Sequence, residues 1–341
     1  MKKSIWMASV FALSLTASAC AEEPAETADA SAETADSNAE AIVSGATSSA
    51  ANAAVQETVE EPEIADGGGM DQAEYFFPDE AWRAIDQENA LYINTEHGMI
   101  VVELAPEFAP IHVERMTTLA RQNFYDYLVW HRVLDGFVAQ GGGSRANPAH
   151  STDLPDIPAE FTIRRSPDMQ ISELQPRMVN PRQDTRMAPS GFWNSFPAAT
   201  EPVAQSGITA DGRVTSWLLH CTGAASMART SDPNSAGSQF YITRGDAEHL
   251  NTQYTVWGRV RHGMDAVNQI AIGTMGQDLG FSPDSIISMR VGSDLPEDER
   301  LNIEVVDTNS AAFADYLETL RNADGMLPDV CAIPVHTRIS E

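Results

Sequence analysis

The sequence predicts a mainly β fold, a closed antiparallel β-barrel with an α-helix plugging each end and a long inserted loop. Three observations predict it. Ile100, Val102 and Leu104 alternate with Val101 and Glu103, as in a half-buried strand. Similar short runs recur along most of the chain. Only two stretches place apolar residues at helical spacing, too few helices for a layered α/β architecture.

The chain opens with Lys2 and Lys3, an apolar run over 5–15, and small residues Ala17, Ser18 and Ala19 ahead of Cys20. This pattern reads as a secretory signal over 1–19, with an apolar run too short for a permanent membrane-spanning helix. Two cleavage readings stand side by side. Ala-Ser-Ala fits ordinary signal peptidase and a soluble exported product. With Leu15 upstream, Ala-Ser-Ala-Cys also resembles a bacterial lipobox, in which Cys20 is lipidated, although Ala17 stands where Leu is usual. Residues 20–72 are rich in Ala, Glu, Thr, Ser and Asp and contain no Lys or Arg. Such a segment lacks the apolar surface to offset its ordering entropy and reads as an acidic, disordered tether. A tether favours the lipid anchor on Cys20. Ala21 directly after it is not acidic, which points to the outer membrane and a periplasmic protein.

A globular domain is expected over 73–295. Strands are expected at 91–94, 100–104, 130–134, 137–140, 224–228, 240–242, 255–260 and 286–291. One helix follows Pro110, which suits a first helical turn, with Val113, Met116, Leu119 and Ala120 on one face. A second runs through Met264, Val267 and Ile270. About 150–216 is expected as the inserted loop, Pro- and Arg-rich, which either packs its aromatics on the barrel or forms a flap over a groove. Residues 296–341 form a C-terminal extension with helical character at 311–320 and no chemistry of its own.

Lys2 and Lys3 are the only lysines. Without the signal, 19 arginines face 49 acidic residues (19 − 49 = −30). That surface repels nucleic acid and anionic headgroups. Beyond Cys20, Cys221 and Cys331 remain. In an oxidising compartment they either form a disulfide or stay as a buried small residue and a free tail thiol. The eight histidines are scattered without metal-ligand spacing, no Gly-x-Ser-x-Gly elbow occurs, and Gly141–Gly143 lacks a phosphate-loop pattern. No cofactor or metal is implied.

Two blocks carry chemistry: WHRVLDGFVAQGGG at 130–143 and SMARTSDPNSAGSQFYIT at 226–243. Together they closely resemble the signatures of cyclophilin-type peptidyl-prolyl cis/trans isomerases, and the resemblance covers 91–291. It implies an eight-stranded barrel, proline-containing polypeptides as substrates, and isomerase activity in the folding of exported proteins. It also implies that Arg132, Phe137 and Gln140 are catalytic and that Val138, Ala228, Arg229, Gln239, Tyr241, His249, Leu250 and Tyr254 bind substrate. Ala228 and Arg229 would present backbone groups to the peptide. Departures from the common pattern are Val138 for Met, Tyr241 for Phe and His249 for Trp. These leave open a catalytically weak peptide-binding chaperone, or a scaffold that uses the insert. The chemistry asks for nothing more. Rotation about a prolyl amide is slow because the nitrogen lone pair is delocalised, with a barrier of about 18–20 kcal/mol. A fixed cation near that nitrogen and an apolar slot for the ring lower it without covalent bonds.

Overall fold

The computed structural model describes residues 75–143 and 152–340. The signal, the tether and Cys20 lie outside the described residues. So does the stretch 144–151 after the first motif.

Ten strands form one curled antiparallel sheet, in the order Gly273–Thr274, Arg132–Leu134, Val138–Gly141, Phe240–Thr243, Ala224–Met227, Val256–His262, Gly98–Leu104, Ala90–Thr95, Ser285–Val291 and Leu128–Val129. The first and last are two-residue ladders, so eight longer strands make up the body. The run expected over 130–134 is interrupted. Trp130 is fully buried in the core, and its amide donates to the Asp284 carbonyl. Leu128–Val129 therefore belongs to one end of the sheet and Arg132–Leu134 to the other, two residues apart in the chain. Inward residues on these strands (Leu91, Ile93, Ile100, Val102, Phe240, Trp257, Met289) make the main core with Met116 and Leu119.

The helix Pro110–Arg121 lacks a side-chain cap from its own preceding residue. Glu160 supplies one from the insert. Its carboxylate accepts the amides of Ile111 (3.2 Å) and His112 (3.0 Å) and bonds the His112 ring (2.7 Å). An acid at the positive end of a helix also complements its dipole. The second expected helix spans Met264–Gln269.

The insert is not a loop. Ile163–Arg165, Val214–Leu218, Phe196–Thr200, Asp184–Trp193 and Ser172–Asn180 form a second antiparallel sheet in that order. Its longest hairpin pairs Pro176 with Pro189. Prolines inside both strands hide the strand signal, because proline removes a ladder donor and is tolerated only at edges and irregularities. Ser172–Asn180 is indeed an edge strand, with register shifts on both sides of the proline pair. Trp82–Ala84, Ile303–Val306 and Thr337–Ile339 form a third sheet. The C-terminal extension adds a helix, Ala311–Thr319. Phe77, Phe192, Trp217, Val306, Phe313 and Tyr316 share one core. The residues before, within and after the main fold thus build a single side structure.

Among the links from that side structure to the curled sheet are a disulfide and a buried charge triad. Cys221 and Cys331 are bonded, with Cα atoms 5.1 Å apart and a separation of 110 positions in sequence. Glu103, 5% exposed, sits between Arg83 (2.6 Å) and Arg261 (2.7 Å). Arg83 also donates to the Asn194 carbonyl and Arg261 to that of Ser195. Burial pushes the Glu103 carboxyl up, but the two guanidiniums outweigh it and hold the group below the usual carboxylate range.

Candidate active site

The cleft grows from strand register. Arg132 pairs with Gln140, Gln140 with Tyr241, and Tyr241 with Ser226. Side chains alternate along a strand, so these four form one cross-strand row while Val133, Ala139 and Ile242 point into the core. The turn after Leu134 closes the first pair. Phe137 donates its amide to the Leu134 carbonyl (3.2 Å), and Gly136 takes φ +60°. A glycine adopts that conformation without the steric cost any other residue meets. Gly245 then packs against the same turn so closely that a Cβ would lie 2.2 Å from the Gly136 carbonyl oxygen.

Arg132, Phe137, Val138, Gln140, Ala228, Arg229, Tyr241, Leu250 and Tyr254 line one cavity of about 210 Å³. The Arg132 guanidinium donates to Gln140 Oε1 (3.3 Å), and Gln140 Nε2 donates to Gln239 Oε1 (3.1 Å). Arg132 also lies 6.0 Å from the centre of the Phe137 ring. His249 stacks on the Phe137 ring itself, with centroids 5.4 Å apart and planes at 25°. The remaining two predicted residues, Gln239 and His249, therefore each touch a lining residue. Arg229 spreads over Tyr254 (4.5 Å) and Phe161 (5.4 Å) and donates to the Gln253 carbonyl. Ala228 differs from expectation in one respect. Its amide already donates to the Gln239 carbonyl (2.9 Å), so that donor is not available to a peptide.

The Tyr241 hydroxyl needs a partner in an apolar pocket, and His220 provides it (3.1 Å). Asn251 Oδ1 faces both the His220 amide (2.9 Å) and Nδ1 (3.2 Å). An acceptor there places the proton on Nδ1, so Nε2 accepts from Tyr241. Burial holds His220 down at about 4 and pushes Tyr241 well above its ordinary value. Both are neutral at pH 7, and the pocket floor carries no charge that competes with Arg132.

Sequence reading missed the supports of the cleft loop 246–254. Asn180, with no exposed surface, donates to the carbonyls of His249 (2.9 Å) and Asn251 (2.7 Å). Arg177 reaches Glu248 (3.1 Å), Asp329 (3.2 Å) and Asp246 (3.7 Å). Asp246, Asp329 and Cys331 lie within 4.8 Å of one another. A guanidinium and a disulfide sulfur occupy that group, so its chemistry does not suit a cation. No local pattern marks Asn180 or Arg177, because their partners lie about seventy or more residues away.

Residues 90–291 match the cyclophilin type peptidyl-prolyl cis-trans isomerase/CLD family. A probable peptidyl-prolyl cis-trans isomerase of Brucella suis is 30% identical over 224 residues, covering 62% of this chain and 86% of that protein. A peptidyl-prolyl cis-trans isomerase of Acinetobacter baylyi is 28% identical over 211 residues, covering 59% and 84%. The crystal structure of the cyclophilin AquaCyp293 from Hirschia baltica superposes with a TM-score of 0.66 at 33% identity. It covers 78% of this chain and 99% of its own. The chain belongs to the cyclophilin-type peptidyl-prolyl cis-trans isomerases, and rotation about Xaa-Pro bonds is its activity.

Proposed function

We propose that Arg132 is the group that lowers the rotational barrier. As the amide twists, the lone pair localises on the prolyl nitrogen, and a guanidinium donor stabilises that state more than the planar one. Such differential binding is what accelerates the step. Five decades of acceleration correspond to about 7 kcal/mol. Phe137, Val138, Tyr241 and Leu250 form the slot for the proline ring. Gln140 orients Arg132 and takes the substrate carbonyl, while Gln239, His249, Arg229 and Tyr254 shape the walls, together with the carbonyl side of Ala228. The observation that carries this reading is Arg132 and Gln140, bonded to each other and facing one cavity beside the Phe137 ring, with Gln239 holding Gln140 from behind. In a protease-free exchange assay on a short Xaa-Pro peptide, Arg132→Ala should lose about a hundredfold in kcat/KM, the scale for one preorganised donor. Unchanged turnover would remove Arg132 from the mechanism.

The setting belongs to the same proposal. The curled sheet acts as a barrel closed where Trp130 and His131 carry the chain from one end of the strand order to the other. The protein works in the periplasm on the folding of exported chains, held to the outer membrane by a lipid on Cys20 and spaced from it by the acidic segment. The pattern around Cys20 and the composition of 20–72 support this. Cys20→Ala should move the protein from the membrane pellet to the soluble fraction. Equal membrane association of the variant and the native chain argues against the anchor.

A further inference from the structure

Beside the proline slot lies a larger cavity, of about 360 Å³, on the face of the insert sheet. Val179, Ala188 and Trp217 form its apolar wall, with Met187 (59% exposed) at the mouth. Part of this sheet face is covered by Phe313 and Tyr316 of the C-terminal helix. The end towards the catalytic loop is not. Trp217 is 3% exposed, yet its indole N–H has no acceptor among the described residues. A greasy wall with one unused buried donor is unusual, since such groups are normally paired.

This cavity shares two segments with the substrate cleft. Thr252 lines it, while Leu250 and Tyr254, two residues away on either side, line the proline slot. Thr162 lines it too, and the adjacent Phe161 holds the Arg229 guanidinium. Two residues span at most about 7 Å, so only one turn of chain divides the cavities. Thr252 holds φ +60°, a conformation costly for a β-branched residue. The charges at the rim are already matched: Asp184 pairs with Arg186 (2.6 Å) and Glu201 lies 3.5 Å from Arg164. Nothing there calls for a charged ligand.

We propose that this cavity is a second binding site for the client chain, taking an apolar side chain of an extended segment three to five residues from the isomerised proline. The spacing follows from about 3.3 Å per extended residue: about two residues cross the divide of about 7 Å, and one to three more reach into the second cavity. The occupant is the substrate itself, because the same loop, 250–254, lines both cavities. The inference rests on the isomerase reading and deepens it. The insert makes the enzyme selective for long, unfolded, apolar chains, which a tetrapeptide does not probe.

The test uses the full chain and a protease-free exchange assay. Substrates are a tetrapeptide with one proline, and twelve-residue peptides with a central proline flanked by Leu or by Gly three to five residues away on either side. The native protein should turn over the Leu peptides with about tenfold higher kcat/KM than the Gly peptides. Met187→Glu and Gln205→Trp, both at the exposed mouth, should abolish that preference and leave the tetrapeptide rate unchanged. Equal rates on Leu and Gly peptides, or a preference that survives both variants, overturns the second site while the tetrapeptide result keeps the isomerase reading intact. Failure on the tetrapeptide itself overturns both.

Discussion

The curled sheet and the insert sheet are both antiparallel and both end at the same cleft, yet they carry information differently. In the curled sheet the proposed catalytic residues Arg132, Phe137 and Gln140 lie within one hairpin. Arg132 and Gln140 are eight residues apart and face each other across a tight turn. In the insert sheet the residues that matter to the cleft, Arg177 and Asn180, act on a loop about seventy residues further on. Chemistry is local in this molecule and support is distant. The difference lets the proposed catalytic row stay intact while its surroundings elaborate.

If the insert is a support rather than a passenger, cutting the joint between the regions should be costly. Glu103→Gln is the severest test. It leaves the half-buried Arg83 and the buried Arg261 close together without their shared anion. Breaking a buried ion pair on one side costs about 3–5 kcal/mol, so chemical denaturation should show a loss of that size. A loss under 1 kcal/mol would mean the two regions hold together without this triad. The same joint predicts acid sensitivity, because the depressed Glu103 carboxyl is an anion that the folded state favours. Its contribution is present above the ordinary carboxylate range and is lost as pH falls through and below it.

His220 tests the seam from the other side, where the insert returns to the cleft. Its folded value of about 4 lies below the ordinary 6.5. Above 6.5 neither state binds the proton. Between 6.5 and 4 only the unfolded chain does, so stability falls as pH drops through that window and levels off below 4. The total is on the order of 3 kcal/mol. Unfolding free energies measured at pH 7.5 and pH 4.5 should differ by about 2–3 kcal/mol less in His220→Gln than in the native protein. An unaltered difference would place the titration elsewhere.

How much of this was legible follows from the same contrast. Eight cleft residues, Arg132 to Gln140 and Ala228 to Tyr241, could be named because two contiguous blocks resemble the family signatures, and strand alternation and a Gly-containing turn fix their geometry within a few residues; His249, Leu250 and Tyr254 lie beyond the blocks and came from the wider resemblance. The core strands were legible for the same reason, except at Trp130, whose amide bonds the Asp284 carbonyl and divides the expected strand. The insert sheet was not legible, since Pro176 and Pro189 sit opposite each other in its hairpin and proline reads as loop. Glu160 caps a helix about fifty residues earlier, a role that exists only in three dimensions. Trp82–Ala84 and Thr337–Ile339 are three-residue strands that gain meaning only by pairing with Ile303–Val306.

The finest test of the comparison is Asn180. Its two amide hydrogens hold the carbonyls on either side of Leu250, and its Oδ1 accepts the amides of Arg182 (2.9 Å) and Gln183 (3.2 Å). Asn180→Ala would lose all four bonds at once and confuse the hairpin turn with the cleft loop. Asn180→Asp separates them, because a carboxylate keeps the acceptor and removes both donors. Left without donors, the carbonyls of His249 and Asn251 face a negative oxygen, and the loop should move away from the hairpin. Leu250 then loses its fixed position in the proline slot while Arg132 and Gln140 stay on their own hairpin. The expected signature is a KM raised by about three- to tenfold with kcat within twofold, since binding contacts shared by ground and transition states are lost and the cation is not. Stability should fall by about 1–3 kcal/mol, the scale for buried groups left unpaired. A fall in kcat at constant KM would mean instead that the insert acts on the arginine row, and that the division between local chemistry and distant support does not hold.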